Sequence, residues 1–262
     1  MEKKILYLLT CVGLCWSSCT NEVDEFIGNV EPSTRSVSTA LNANLASLFT
    51  GGAPTLTSAE IKEVNDAYAK MTSINCYRNI DEAVRNKTSY AGTIFLDDTY
   101  ASAYFRKGSL AFPPYGILAS SMEHEFIHMY QRDVQGKKVD TDKEKRDTGM
   151  MEFELAFYQG IIRYIHAGYS WTFKGEDGDP SYQSLWTSGL TDPSLIPQYE
   201  REFQTYVASI CANGKSTSID INEFVKWSNI FGEYSRGYSG KGYKFGNYDY
   251  GTSCINSLLK LY

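Results

Sequence analysis

The chain has 262 residues, of which 42% are apolar and 21% are charged, with 25 Lys and Arg against 31 Asp and Glu. This balance excludes a disordered chain, a collagen-like chain and a protein with many membrane spans. The net charge of -6 argues against non-specific nucleic-acid binding, which needs a cationic face, so no nucleic-acid partner is expected.

The N-terminus has the order of features found in secretory signals. Two lysines stand near the start, an apolar run covers Ile5–Trp16, and the small residues Ser17 and Ser18 come next. The following residue is Cys19, as in bacterial lipoproteins. The order predicts a lipoprotein signal peptide over residues 1–18, with Cys19 as the lipidated first residue of the mature chain.

The segment 19–38 is polar and contains Pro32, which predicts a flexible tether between the lipid and a folded domain. Its acidic run Thr20–Glu25 resembles the surface-export signal of Bacteroidetes lipoproteins, although a plain solvated linker has a similar composition. We therefore expect a cell-envelope protein anchored through its lipid at the outer membrane. The acidic run favours exposure at the cell surface, whereas a plain linker does not indicate which leaflet of the outer membrane holds the lipid.

Three cysteines remain beyond the signal and the lipid site, namely Cys76, Cys211 and Cys254. In an oxidising compartment this odd number allows at most one disulfide and leaves one free thiol. The sequence does not choose the pair, and the spacing matches neither a zinc knuckle nor a redox pair.

Apolar periodicity and capping signals predict helices, in chain order, over residues 36–49, 57–72, 78–87, 117–132, 149–166, 194–211, 220–231 and 253–261. Short β-prone runs separated by turns predict a small sheet from residues 92–96, 101–105 and 108–112. The charged stretch 133–148 is expected to be a solvated connection. The Gly/Tyr-rich stretch 232–252 is expected to be an ordered surface loop or a lid over a substrate cleft. The fold class expected from this order is α+β and mainly helical.

One motif carries chemistry, the sequence HEFIH over residues 124–128, which lies within the predicted helix 117–132. Residues four apart lie one turn apart on the same helical face, so His124 and His128 can hold one zinc ion. Glu125 is rotated by about 100° around the helix from His124. Its carboxylate is thereby within reach of the water that such an ion activates. The pattern predicts hydrolysis with Glu125 as the general base.

A catalytic zinc site needs a third protein ligand, which a later carboxylate or His166 can supply. On the next predicted helix, Glu152 shares its face with Ala156 and Gly160, small residues that let this helix lie close to the motif helix. Glu154 shares its face with bulky residues, so it is the second choice as a ligand and a candidate for orienting a histidine. His166 lies about 21 Å along the helix from Glu152 and cannot share a site with it.

These motifs resemble the gluzincin type of zinc metallopeptidase of the zincin superfamily, in lipoprotein form. The metzincin extension is absent, because Gln131 and Val134 stand where that group has glycine and histidine. The resemblance covers roughly residues 92–166. It implies a zincin-like fold, in which a small sheet packs on the active-site helix, and a Zn²⁺ cofactor held by His124, His128 and Glu152, with Glu125 as the base.

The expected domain organisation is a single zincin-like domain over residues 39–262. The sheet and the active-site helix occupy about 90–166, and a helical remainder follows at 167–262. The expected function is zinc-dependent hydrolysis of peptide bonds outside the cytoplasm, with a peptide or protein as substrate. Two histidines and a carboxylate also suit iron or manganese, and Glu125 favours zinc. The alternative is a non-catalytic envelope lipoprotein that binds protein or glycan through a tyrosine-rich surface.

Overall fold

The computed structural model of the protein describes residues 40–51, 55–100, 102–137, 145–166, 191–210, 219–235, 239–241, 243 and 245. Several expected features lie outside these residues, namely the signal peptide 1–18, the tether 19–38 with Cys19 as its expected lipidation site, and the closing helix 253–261. Cys211 and Cys254 also lie outside them. Most of the Gly/Tyr-rich stretch 232–252 also lies outside them.

Three helices come first, α1 (Ala43–Leu48), α2 (Ser58–Thr72) and α3 (Asn75–Lys87). The Thr57 hydroxyl accepts the backbone N–H of Glu60, and the Glu60 carboxylate accepts the N–H of Thr57, so the predicted capping box is confirmed. Helix α1 is shorter than the predicted 36–49, because the Asn42 side chain caps its N-terminus.

The sheet has three short strands, β1 (Ile94–Leu96), β2 (Tyr104–Arg106) and β3 (Ser109–Phe112). Strand β3 lies in the centre, parallel to β1 and antiparallel to β2. The β2–β3 turn places Lys107 and Gly108 at φ 52° and 78°, conformations that glycine adopts without steric cost. A small sheet was predicted and is confirmed.

Helix α4 (Ala119–Met129) carries the HEFIH motif and continues into a π-helical turn, Tyr130–Val134. Helix α5 (Lys145–His166) then begins four residues before the predicted 149. Within 133–148, the prediction of a solvated connection is wrong for Lys137, whose side chain is only 9% exposed. A buried carboxylate, Glu154, draws this lysine inward.

A 3₁₀ turn (Pro193–Leu195), α6 (Ile196–Ile210) and α7 (Ile221–Tyr234) complete the described elements. Phe153 of α5 packs against Phe224 and Phe231 of α7, with ring centroids 5.0 and 5.6 Å apart. Gly160 faces the ring of Phe203 on α6. The expectation that Gly160 brings α5 close to the motif helix is therefore wrong, because its open side serves the contact with α6.

The described chain is mainly helical with one small sheet, which confirms the α+β class. Helix α4 lies in the middle, in contact with α2, α3, α5 and β2. Its buried face includes Phe126 and Ile127, both fully inaccessible. The motif histidines are only partly buried on the same helix, so the packing of α4 fixes the direction in which they project.

Candidate metal centre

Helix α4 places the two motif histidines next to each other. The Nε2 atoms of His124 and His128 are 3.1 Å apart, and the ring planes are inclined at 81°. The spacing of four residues produces this arrangement, since it stacks side chains one turn apart on one face. Both imidazoles thus present Nε2 to the same small region of space.

Glu152 reaches this region from α5. Its Oε2 lies 3.7 Å from His124 Nε2, and its Oε1 lies 3.3 Å from His128 Nε2. The three side chains retain 16–21% of their exposure, so the group opens to solvent on one side. Among the residues that the structure describes, this is the one group of His, Cys, Asp or Glu donors that can hold a metal ion, with ligand atoms within 4.8 Å of one another.

The two histidines have opposite proton affinities in the metal-free site. Burial, with the nearby charge of His128, lowers the pKa of His124 to about 4. Burial also acts to lower the pKa of His128, but the carboxylate of Glu152 outweighs it and raises that pKa to about 9. These opposite directions favour a charged His128 between the neutral imidazole of His124 and the carboxylate of Glu152.

Glu125 is buried beside the histidines, with 4% of its surface exposed. Burial raises the pKa of its carboxyl group to about 7, and the negative charge of Glu152 adds to the rise. The charge of His128 and a hydrogen bond from the backbone N–H of Phe105 act in the opposite direction. A carboxyl group with this pKa can both accept and donate a proton near neutrality.

Glu154, the second choice as a metal ligand, does not lie with this group. It is fully buried, and both of its oxygens accept from Lys137 Nζ at 2.9 Å. Its Oε2 also accepts from Gln131 Nε2 at 3.0 Å. The role considered for Glu154 in orienting a histidine is therefore indirect, because Gln131 stands between Glu154 and His128.

Gln131 is the residue that the sequence analysis missed. It is fully buried, and its Oε1 lies 2.9 Å from Nδ1 of His128. In the sequence it stands out only as a departure from the metzincin pattern. Its spacing of three residues from His128 is a usable signal, because such pairs are neighbours on a helix.

Cys76 is the one cysteine beyond the expected lipid site that the structure describes. It is a buried free thiol, and burial raises its pKa to about 12. Such a thiol is unreactive at neutral pH, so no chemistry is assigned to it.

No helix in the described part of the chain has the length and apolar character needed to cross a bilayer.

Comparisons of the chain with protein-family models, with curated proteins and with solved structures found no match.

Proposed function

We propose that this protein is a zinc-dependent metallopeptidase that hydrolyses peptide bonds outside the cytoplasm. The observation that supports it most strongly is the convergence of His124, His128 and Glu152 from two helices on one region of space. The burial of Glu125 next to the first histidine adds to this support, because a metal that serves structure alone has no need of a carboxylate there.

The donor set fits zinc in both chemistry and size. Zinc prefers nitrogen and carboxylate ligands at about 2.0–2.2 Å in a tetrahedral arrangement, for which adjacent ligand atoms are about 3.3–3.6 Å apart. The two histidine Nε2 atoms are 3.1 Å apart, and each faces a different oxygen of Glu152, at 3.7 Å for His124 and Oε2 and at 3.3 Å for His128 and Oε1. With a single Glu152 oxygen as ligand, the three ligand atoms lie within 4.8 Å of one another. Three protein ligands also leave one position of a tetrahedron free, which a hydrolytic site requires.

Glu125 is proposed as the proton carrier of the reaction. When bound, zinc supplies Lewis acidity toward the substrate carbonyl and acidity to the attacking water. The Glu125 carboxylate takes one proton from that water while the water oxygen bonds to the carbonyl carbon. It then gives the proton to the amide nitrogen as the C–N bond breaks, which returns Glu125 to its starting state. The N–H of Phe105 holds the carboxylate in place.

The proposed location is the cell envelope, with Cys19 as a lipid anchor at the outer membrane. The order of lysines, apolar run, small residues and cysteine supports it. The folded part would then meet peptides or proteins outside the cytoplasm while anchored to the membrane.

Metal content and peptide cleavage, measured on the same variants, test the proposed function. We expect about one zinc per chain in the wild type, in Glu125→Gln and in a control, Glu63→Ala, whose side chain is exposed on α2. His124→Ala and Glu152→Ala should lose the metal. Only the wild type and the control should cleave members of a peptide library. Equal cleavage by Glu125→Gln and wild type would contradict the proposal.

The second candidate, non-catalytic binding of protein or glycan, has one observation in its favour. Tyr100 and Tyr115 are 50% and 69% exposed, and Tyr100 packs against the ring of Tyr104. Exposed aromatic rings are a common feature of binding surfaces. Two results together would favour this function over hydrolysis. The protein would bind zinc without cleaving any library member, and Tyr100→Ala would lose the capture of protein or glycan that the wild type shows.

A further inference from the structure

A buried amide connects the candidate metal centre to a charged pair behind it. Gln131 stands between His128 on one side and Glu154 with Lys137 on the other, and neither Gln131 nor Glu154 has any exposed surface. Buried polar groups are costly unless each finds a partner. The contacts of this amide therefore show which of its two ends must face the histidine.

The orientation of the Gln131 amide is fixed by two acceptors. Its Nε2 lies 3.0 Å from the backbone carbonyl of Met151 and 3.0 Å from Glu154 Oε2. Neither of these oxygens can donate a hydrogen bond, since one is a carbonyl and the other belongs to a carboxylate paired with Lys137. The amide group that faces them must be the NH₂. The opposite end, which faces His128, is therefore the carbonyl oxygen.

The amide orientation in turn decides the state of the histidine ring. Gln131 Oε1 lies 2.9 Å from Nδ1 of His128 and can only accept a hydrogen bond, so Nδ1 carries a hydrogen. The neutral ring then has its lone pair on Nε2, the atom that faces His124 and Glu152. A metal ligand needs this tautomer, and an outer hydrogen bond is the usual way to hold it.

We propose that Gln131 is a positioning residue, which holds the ring and the tautomer of His128 ready for the metal, and that Glu154 and Lys137 hold Gln131. This inference rests on the metal site of the proposed function. Because the acceptor is a neutral amide, it holds the Nδ1 hydrogen without the added negative charge that a carboxylate would place beside the ring. His128 is thus a neutral ligand, while the buried negative charge of Glu154 is balanced by Lys137.

The test makes the same substitution at two buried glutamines, Gln131, which contacts His128, and Gln159, which lies seven residues after Glu152 on α5. Gln131→Leu removes the acceptor of His128. Gln159→Leu is the control, since Gln159 is 2% exposed and its Oε1 has no partner among the described residues. Zinc affinity of the purified full chain is measured by competition with a chromophoric chelator. We expect Gln131→Leu to bind zinc about 10- to 100-fold more weakly and Gln159→Leu to bind like the wild type.

A spectroscopic readout separates positioning from a general loss of structure. With ¹⁵N-labelled histidine, the metal-free wild type is examined at a pH above the His128 pKa of about 9, where the ring is neutral and has a single hydrogen on nitrogen. That hydrogen should lie on Nδ1 of His128 in the wild type and be shared with Nε2 in metal-free Gln131→Leu. Helical circular dichroism that matches the wild type ensures that the variant is folded.

The failures of the two proposals are distinguishable. A wild type that binds no zinc would overturn the proposed function and this inference with it. A wild type that binds zinc while Gln131→Leu binds it within twofold would overturn the inference alone. So would a His128 ring whose only hydrogen on nitrogen lies on Nε2 in the wild type.

Discussion

Replacing Lys137 by methionine should cause a large loss of stability, because it removes the counter-charge of a carboxylate with no exposed surface. Nζ lies 2.9 Å from both oxygens of Glu154, and the lysine is itself 9% exposed. At an effective dielectric constant of about 20, unit charges at this distance attract by about 6 kcal/mol. Desolvation offsets part of this, and removing one partner of a buried pair costs about 3–5 kcal/mol.

The assay is urea unfolding with a chelator present, so that bound metal does not contribute to the free energy of unfolding. In a thermal unfolding experiment on a chain of this size, the same loss of about 3–5 kcal/mol corresponds to a fall in Tm of about 6–20 °C. Lys62→Met is the matched control, because Lys62 pairs with Asp66 on the surface with side chains 55% and 64% exposed. An exposed pair contributes about 0–1 kcal/mol.

A double variant checks the cause. Lys137→Met combined with Glu154→Gln leaves no unpaired charge, and the carbonyl oxygen of the introduced glutamine can still accept from Gln131, so much of the lost stability should return. A loss below about 1 kcal/mol in Lys137→Met alone would refute the reasoning. A double variant less stable than Lys137→Met would do the same.

Three other outcomes follow from the described contacts. Thr57→Ala should cost about 1 kcal/mol, seen as a lower Tm, because it removes the capping hydroxyl of α2; an unchanged Tm would contradict this. Gly92→Ala should cost about 1–3 kcal/mol in urea unfolding, since a Cβ there would lie 2.2 Å from the carbonyl oxygen of Gly108, and wild-type stability would show that this contact is absent. Zinc binding should release about one proton at pH 7 and tighten as pH rises toward 9, because Glu152 holds the pKa of His128 at about 9 and the metal must displace that proton. Calorimetry in buffers of different ionisation enthalpy measures the release, and affinity independent of pH between 6 and 8 would contradict it.

The part of the site predicted from sequence depends on local periodicity. The spacing of His124 and His128 is a property of any helix, so their convergence needed no knowledge of the fold. The contact of Glu152 with them is less local, because it depends on how α5 packs. The structure places Glu152 beside the histidines and Glu154 against Lys137, although Gly160, which supported the preference for Glu152, packs against Phe203 instead.

The rest of the site depends on contacts that no local pattern specifies. A π-helical turn at Tyr130–Val134 interrupts the regular helix around Gln131, and neither its position nor its presence follows from propensity. The stretch 133–148 contains several charged residues, and composition does not reveal that Lys137 turns inward. Its burial follows from Glu154, a residue on another helix, whose own burial depends on the packed core.

The separation of the site residues along the chain has a consequence for folding. Gln131 and Glu154 are 23 residues apart, and closing a loop of that length costs roughly 3 kcal/mol of chain entropy. Helix α4 is local and can form on the microsecond timescale of helices, whereas the group with Glu152 exists only after α5 has docked. The rate of zinc uptake during refolding would therefore report the rate at which α5 docks and not the rate at which helix forms.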